Sequence, residues 1–251
     1  MPSRWIPVFD FYLALLDGAP IAVWLDMEAV NHAPLPSHPL AMRVRIPMRK
    51  PQPNGLRSDE EFDALNDLED ELTRSLAADA DAIYWGRHLI AGNVDYFFYL
   101  PPRTPAEHEE RIAPHLQFDG YSFEIEFTDD PDWREYLSSY PNAFHQQTMA
   151  NRDLQAEMEA RGDRLSRRRK IDHIATFRSA GDAAQATVRL KSAKFTVKSV
   201  AHEKRDGGFL LMFERRDRCD GGRPDDITAE ILDCIEPSGG IYDGWGTVTR
   251  G

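Results

Sequence analysis

Residues 171–177 read Ile-Asp-His-Ile-Ala-Thr-Phe, and their pattern is the main indication of the fold that we expect for the second half of the chain. Its alternation places His173 on the same face as Ile171, Ala175 and Phe177, which is typical of a strand with one apolar face. A histidine on such a face is usually buried and hydrogen-bonded, and a general base would also need a positioned partner. We therefore predict a strand here, with His173 among apolar neighbours.

Helices and strands follow one another on both sides of this strand. Capping residues and the spacing of apolar residues give the order α-β-α-β-β-α. The β-α-β-β-α run within it is typical of a split βαβ, ferredoxin-like sandwich. The expected elements are a helix capped by Asn151 and stopped by Gly162, the strand at 171–177, a helix from Ser179 to Leu190, strands at 194–201 and 209–214 around a charged turn at 203–208, and a helix from Pro224.

The first half predicts a second α+β sandwich that is richer in strands. Ser58 and Glu61 form a capping box at the start of its clearest helix, and Thr104 with Glu107 forms another. The apolar stripe of the first helix consists of Phe62, Leu65, Leu68, Leu72 and Leu76. Strands are expected near 9–15, 21–25, 40–46, 82–90, 94–100 and 121–127, and a short helix with Trp133, Tyr136 and Leu137 follows. The predicted fold class is thus α+β, with two α/β sandwich domains.

Charge is unevenly divided between the two halves. Residues 1–143 hold 11 lysines and arginines against 25 aspartates and glutamates, a net charge of -14, whereas residues 144–251 hold 19 against 17, a net of +2. This asymmetry predicts two separately folded domains, 1–143 and 144–251. The acidic half would repel nucleic acid and attract basic protein segments, although such a surface often serves only solubility.

Composition restricts the class of protein further. No run approaches the roughly 18 apolar residues that span a bilayer, and the first ten residues do not read as a signal peptide. Cys219 and Cys234 lack metal-type spacing, which favours a reduced, cytoplasmic setting. We expect neither a membrane nor a DNA partner, and no cofactor or metal.

Catalytic motifs are absent from the sequence, and three interpretations of function stay open. No nucleophile elbow, phosphate loop or dinucleotide fingerprint occurs, so a binding protein is the first. The second is RNA binding through the basic segment Arg164–Lys170, which lacks interleaved aromatic residues. The alternatives for this segment are contact with an acidic protein surface and an ordinary solvated loop. The third is an enzyme in the first half that uses Glu69, Asp70 and Asp95.

The end of the chain, Gly239-Gly240-Ile241-Tyr242-Asp243-Gly244-Trp245-Gly246, follows a helix and so lacks the context of a phosphate loop. We read it as a tail that packs back onto the sheet, or as part of a partner-binding surface. Together with Asn151–Leu154, Gly162-Asp163, Arg169–His173 and Phe177, it resembles the regulator of ribonuclease E activity B family over residues 145–251. The resemblance implies a ferredoxin-like sandwich, no catalytic residues, and a protein that binds ribonuclease E and alters its RNA cleavage.

Residues 4–141 resemble a bacterial domain of unknown function, family 695. The matching residues are Tyr12, Asp17-Gly18, Pro20, Leu68-Glu69-Asp70, Gly86, Gly92, Asp95, Phe98-Tyr99, Asp132-Trp133 and Tyr136. This resemblance implies no function. We therefore predict a two-domain, cytoplasmic, non-enzymatic protein that modulates a ribonuclease by protein–protein contact. Its candidate partner-binding residues are Arg167, Arg168, Arg169, His173, Tyr242, Asp243 and Trp245.

Overall fold

A computed structural model describes residues 5–118, 120–202 and 208–248. The chain forms two compact units, residues 1–140 and residues 141–251. Each unit combines helices with an antiparallel sheet, so the predicted α+β fold in two parts is confirmed. The charged turn expected at 203–208 lies, except for Gly208, outside the described residues.

In the described part of the first unit, six antiparallel strands form one sheet in the order β1-β2-β4-β5-β3-β6. The longest helix packs on β3 and β5 through the four leucines of the predicted stripe, which are fully buried. Phe62, the first residue of that stripe, is instead 44% exposed. The elements are β1 Phe9–Leu16, β2 Ala19–Asp26, β3 Leu40–Pro47, α1 Phe62–Asp79, β4 Ile83–Ile90, β5 Asn93–Leu100, α2 Pro105–Ile112, β6 Glu124–Asp129 and α3 Arg134–Ser139.

The two capping boxes of the first unit have different outcomes. Thr104 and Glu107 form theirs at the start of α2, as predicted. The box at Ser58 is wrong, because the Ser58 side chain makes no cap hydrogen bond. Glu61 is buried, and its carboxylate accepts hydrogen bonds from the backbone N–H groups of Arg49 and Lys50, both at 2.8 Å. The Glu61 carboxylate thus binds the backbone of the loop after β3 and does not close a capping box with Ser58.

Gly86 creates a bulge in β4, where the pairing with β5 shifts register. Its φ is +159°, and a Cβ placed there would lie 2.3 Å from the Trp24 carbonyl oxygen.

We expect Gly86→Ala to lower the free energy of unfolding of the first unit by about 2 kcal/mol, because the backbone must move to relieve the clash. Gly18, at φ +81° with nothing near its Cβ position, is the control. Gly18→Ala should cost about 1 kcal/mol, from backbone strain alone. Equal losses in urea unfolding would contradict the steric argument.

The described second unit has four antiparallel strands in the order β10-β7-β9-β8. Its chain order is β-α-β-β-α-β with one further helix in front, and this combination fits the ferredoxin-like arrangement that the sequence predicted. The core lies between the sheet and the helices. The elements are α4 Ala143–Ala160, β7 Arg169–Phe177, α5 Ala180–Ser192, β8 Thr196–His202, β9 Phe209–Asp217, α6 Arg223–Ile235 and β10 Ile241–Gly246.

One local prediction for this unit is wrong, and the prediction that the tail packs back onto the sheet is borne out in a more specific form. Helix α4 begins at Ala143 with Asn142 as its N-cap, so Asn151 lies inside the helix. The glycine-rich tail is an edge strand, β10, which pairs antiparallel with β7. A bulge at Asp243 accompanies the positive φ of Gly244, and this irregularity hides the alternation by which a strand is recognised.

Candidate partner-binding surface

Asn151 lies in the interior of the second unit and joins three elements. Its amide nitrogen donates to Asp225 Oδ1 at 2.8 Å and to Thr228 Oγ1 at 3.1 Å, both on α6. Its amide oxygen accepts from Trp245 Nε1 at 2.7 Å, on β10, and from Gln147 Nε2 at 3.0 Å. Asn151 has no exposed surface. Because one amide satisfies groups on α6 and on the last strand, it fixes β10 against the helices.

His173 on β7 and Tyr242 on β10 form a second connection to the last strand. The Tyr242 hydroxyl lies 2.7 Å from His173 Nδ1. The imidazole is 1% exposed and stacks on Phe213 with ring centroids 5.4 Å apart. The predicted burial of His173 on an apolar face is therefore observed. A ring so enclosed serves as a packing and hydrogen-bonding group, because it offers no nitrogen to solvent.

Burial lowers the pKa of His173 to about 3, and the positive charge of Arg215 acts in the same direction. In the unfolded chain its pKa is about 6.5. Between these values the unfolded state binds a proton that the folded state does not, so stability falls as the pH falls. The slope is up to about 1.4 kcal/mol per pH unit.

We therefore expect His173→Phe to remove part of the acid sensitivity of the second unit. Between about pH 6 and about pH 5, the parent should lose about 1 kcal/mol more than the variant. Urea unfolding of the full chain at each pH measures this difference. His88 of the first unit, whose pKa burial lowers to about 4, is present in both proteins and cancels in the comparison. An unchanged pH slope would contradict the assignment.

The basic run before β7 does not form one continuous cationic surface. Arg169 is buried, and its Nη1 lies 2.6 Å from Asp163 Oδ2, while its Nη2 donates to the Arg164 carbonyl oxygen at 2.6 Å. Lys170 is exposed and forms ion pairs with Asp172 and Glu214. Of the candidates in this run, Arg167 and Arg168 are exposed. Arg169 thus does not share their surface.

The sheet face opposite the helices carries partly exposed apolar residues. Ile174 pairs with Met212 and Thr176 with Ile241, so all four lie on this face. Met212 is 39% and Ile241 66% exposed. An open pocket of about 920 Å³ lies at one end of the face. Its lining includes Thr176, Arg178, Asp182, Leu210, Ile241 and Asp243.

The structure thus divides the predicted site residues into two groups. Arg167, Arg168 and Asp243 are exposed, whereas Arg169 and His173 are buried and Tyr242 and Trp245 are half-buried. Residues that sequence reasoning missed, Asn151, Asp225 and Thr228, connect the half-buried Trp245 to α6. The Asn-Arg-Asp-Leu stretch at 151–154 was visible as part of the family resemblance, but its amide was assigned to a helix cap.

In the first unit, two of the three carboxylates suggested for catalysis lie together. Glu69 and Asp70 both line a pocket beside α1. Asp95 is paired with Arg45 through two hydrogen bonds of 2.7 Å. It stands opposite His88 on β4, whereas the neighbouring Arg87, which lines the pocket, stands opposite Tyr96. Asp95 therefore points to the other face of the sheet, and the three carboxylates do not form one site.

The described residues hold neither a candidate metal centre nor a helix that could cross a membrane. Among residues 5–118, 120–202 and 208–248, no group of three or more His, Cys, Asp or Glu side chains is placed to hold a metal ion. Within the same part of the chain, no helix has the length and apolar character needed to cross a membrane.

Comparison with known families assigns each half. Residues 8–139 match the family of unknown function DUF695, and residues 148–247 match regulator of ribonuclease activity B, as the two resemblances predicted. No curated protein matches the chain in sequence.

Two similar solved structures are "Crystal Structure of an Unknown Protein from Galdieria sulphuraria" and "Crystal structure of putative glycine cleavage system transcriptional repressor". Each is 8% identical, and each alignment covers 84% of this chain and 98% of the other. Their TM-scores are 0.22 and 0.24.

Proposed function

We propose that this chain, which belongs to the DUF695 family and carries a region matching regulator of ribonuclease activity B, modulates a ribonuclease of the ribonuclease E type through protein–protein contact. The observation that carries the proposal is the match over residues 148–247, which spans α4 to β10 and so nearly the whole second unit. The proposed role is regulatory and not enzymatic. The burial of His173 supports this view, because a general base must reach its substrate and this neutral imidazole is enclosed.

We further propose that the exposed candidates, Arg167, Arg168 and Asp243, contact the partner. The buried and half-buried ones, Arg169, His173, Tyr242 and Trp245, would act indirectly by holding β7 and β10 in place. A protein partner suits this arrangement because such interfaces combine partly exposed apolar residues with a polar rim. Met212 and Ile241 provide the apolar part on the open sheet face.

RNA binding through Arg164–Lys170 is the less favoured alternative. Arg169 is neutralised by Asp163, and Lys170 is shared between two carboxylates. The run therefore offers fewer free cations than its sequence suggests, and phosphate contacts depend on free cations. A cytoplasmic location is part of the proposal, supported by Cys219 and Cys234, which are free thiols in the core.

Capture of the purified full chain on immobilised ribonuclease E tests the proposal. We expect saturable binding, which the double variant Arg167→Glu, Arg168→Glu weakens at least about tenfold. The new glutamates would repel the acidic surface that a basic segment contacts. The matched control is Arg152→Glu, Arg161→Glu, which makes the same change of net charge within α4 and at its C-cap. Absence of binding by the parent would refute the proposal. Equal weakening by both pairs would refute the assigned surface.

A further inference from the structure

The pocket beside α1 in the first unit has the composition of a small-molecule site. Its volume is about 590 Å³, within the usual range for ligand pockets. Phe11, Trp24, Phe62 and Leu89 supply apolar walls, and Arg57, Asn66, Glu69 and Arg87 supply polar groups. Apolar walls with a few polar groups are the usual pattern of such sites.

The sheet topology explains why this pocket is open. Helix α1 packs on β3 and β5, whereas β1 and β2 lie at the far edge of the sheet. Phe11, Trp24 and Arg87 stand opposite one another on β1, β2 and β4. They lie on the face of the sheet on which α1 packs, in the part of that face that α1 does not cover. Leu13, on the same face of β1, is 59% exposed and extends the apolar wall.

Within the pocket, the charge of Arg87 is already neutralised. Arg87 forms an ion pair with Glu69, and the Tyr84 hydroxyl also donates to Glu69. The guanidinium of Arg87 lies over the Trp24 ring, 5.6 Å from its centroid. Its Nε is buried and finds no acceptor among the described residues. The Arg87–Glu69 pair thus shapes the floor and leaves one donor unused.

Arg57 is the cation that remains available. Among the described residues it forms no ion pair; its Nη1 donates to Asn66 Oδ1 at 3.3 Å, and its guanidinium lies 3.9 Å from the centre of the Phe62 ring. Burial lowers the pKa of Arg57, and electrostatic interactions with Tyr96 and Asp59 offset this effect only in part. A half-buried guanidinium with a single long hydrogen bond is poorly satisfied and favours an anionic ligand.

We infer that this pocket binds a small monocarboxylate with an aromatic or branched apolar body. The carboxylate would pair with Arg57, and the body would lie against Trp24 and Phe11. One negative charge matches the one unneutralised guanidinium, whereas a phosphate dianion would bring excess charge close to Glu69 and the exposed Asp70. The inference concerns the first unit and does not rest on the ribonuclease proposal.

Isothermal titration calorimetry on the full chain tests the inference with 3-phenylpropionate, its neutral amide and phenyl phosphate. We expect a dissociation constant for the acid below about 1 mM, with the amide and the phosphate at least about tenfold weaker. Arg57→Met should weaken binding of the acid by a similar factor. Arg74→Met, which removes the same charge from an exposed position on α1, should leave it unchanged.

An NMR measurement on the parent protein keeps the test independent of variant folding. The indole N–H of Trp24 should shift on titration with the acid, and that of Trp245 in the second unit should not. Undetectable binding of the acid, equal binding of the amide, or binding that Arg57→Met leaves intact would overturn the inference. Tighter binding of phenyl phosphate would overturn the choice of a monocarboxylate.

Discussion

Replacing Arg169 by methionine is expected to lower the free energy of unfolding of the second unit by about 3–5 kcal/mol. The guanidinium and its partner Asp163 are both almost completely buried. Removing the cation leaves the Asp163 carboxylate in the interior without its counter-charge, and also frees the carbonyl oxygens of Arg164 and Arg167 that the guanidinium binds. A buried charge that loses its counter-charge costs more than the pair contributed.

The neighbouring Arg168 is a matched control, because it has the same side chain in the same basic run but is exposed. Its Nη2 donates to the Arg216 carbonyl oxygen at 3.1 Å, so Arg168→Met should cost less than about 1 kcal/mol. Urea unfolding of the full chain, with hydrogen exchange to locate the change in residues 141–251, distinguishes the two. Similar losses for both variants would show that Arg169 is not the structural cation described above.

Asn151→Leu is expected to destabilise the same unit by about 3 kcal/mol, because leucine has a similar volume but offers no hydrogen bond. The Trp245 indole N–H would lose its acceptor, and Asp225 and Thr228 would lose a donor. The control, Gln147→Leu, removes one of the same bonds at a half-buried position and should cost about 1 kcal/mol or less.

Amide exchange adds a spatial readout to the Asn151 prediction. If Asn151 holds the last strand, residues 241–246 should exchange faster in Asn151→Leu, at a concentration of denaturant that leaves β8 and β9 protected. Uniform loosening of the whole unit, or a loss of stability below about 1 kcal/mol, would contradict this role.

Patterns that repeat within one element were read correctly from the sequence. The alternation at 171–177 predicted β7 and the burial of His173, and the leucine stripe predicted the inner face of α1. The order of these elements also predicted the ferredoxin-like arrangement, since a split βαβ unit has few ways to form one sheet. These predictions depend on periodicity, which a single sequence displays directly.

Features that depend on distant partners were not predicted. Because asparagine favours helix caps, the sequence predicts a cap at Asn151, yet three of its hydrogen-bond partners lie 74 to 94 residues away. The basic run predicts that Arg169 shares the surface of its exposed neighbours, because a run of charged residues does not indicate which side chain is buried. The carboxylates Glu69 and Asp95 were grouped together, although the sheet separates them onto opposite faces. Such features arise only when elements pack together.

The rate of RNA cleavage by purified ribonuclease E, measured while the full chain is titrated in, tests the proposed function most directly. We predict a saturable change in the rate or in the pattern of cleavage, with no cleavage by the chain alone. The change should be reduced in Arg167→Glu, Arg168→Glu and retained in Arg152→Glu, Arg161→Glu. Unchanged cleavage at saturating concentrations of the chain, or cleavage of RNA by the chain itself, would contradict the proposal that it is a non-enzymatic regulator.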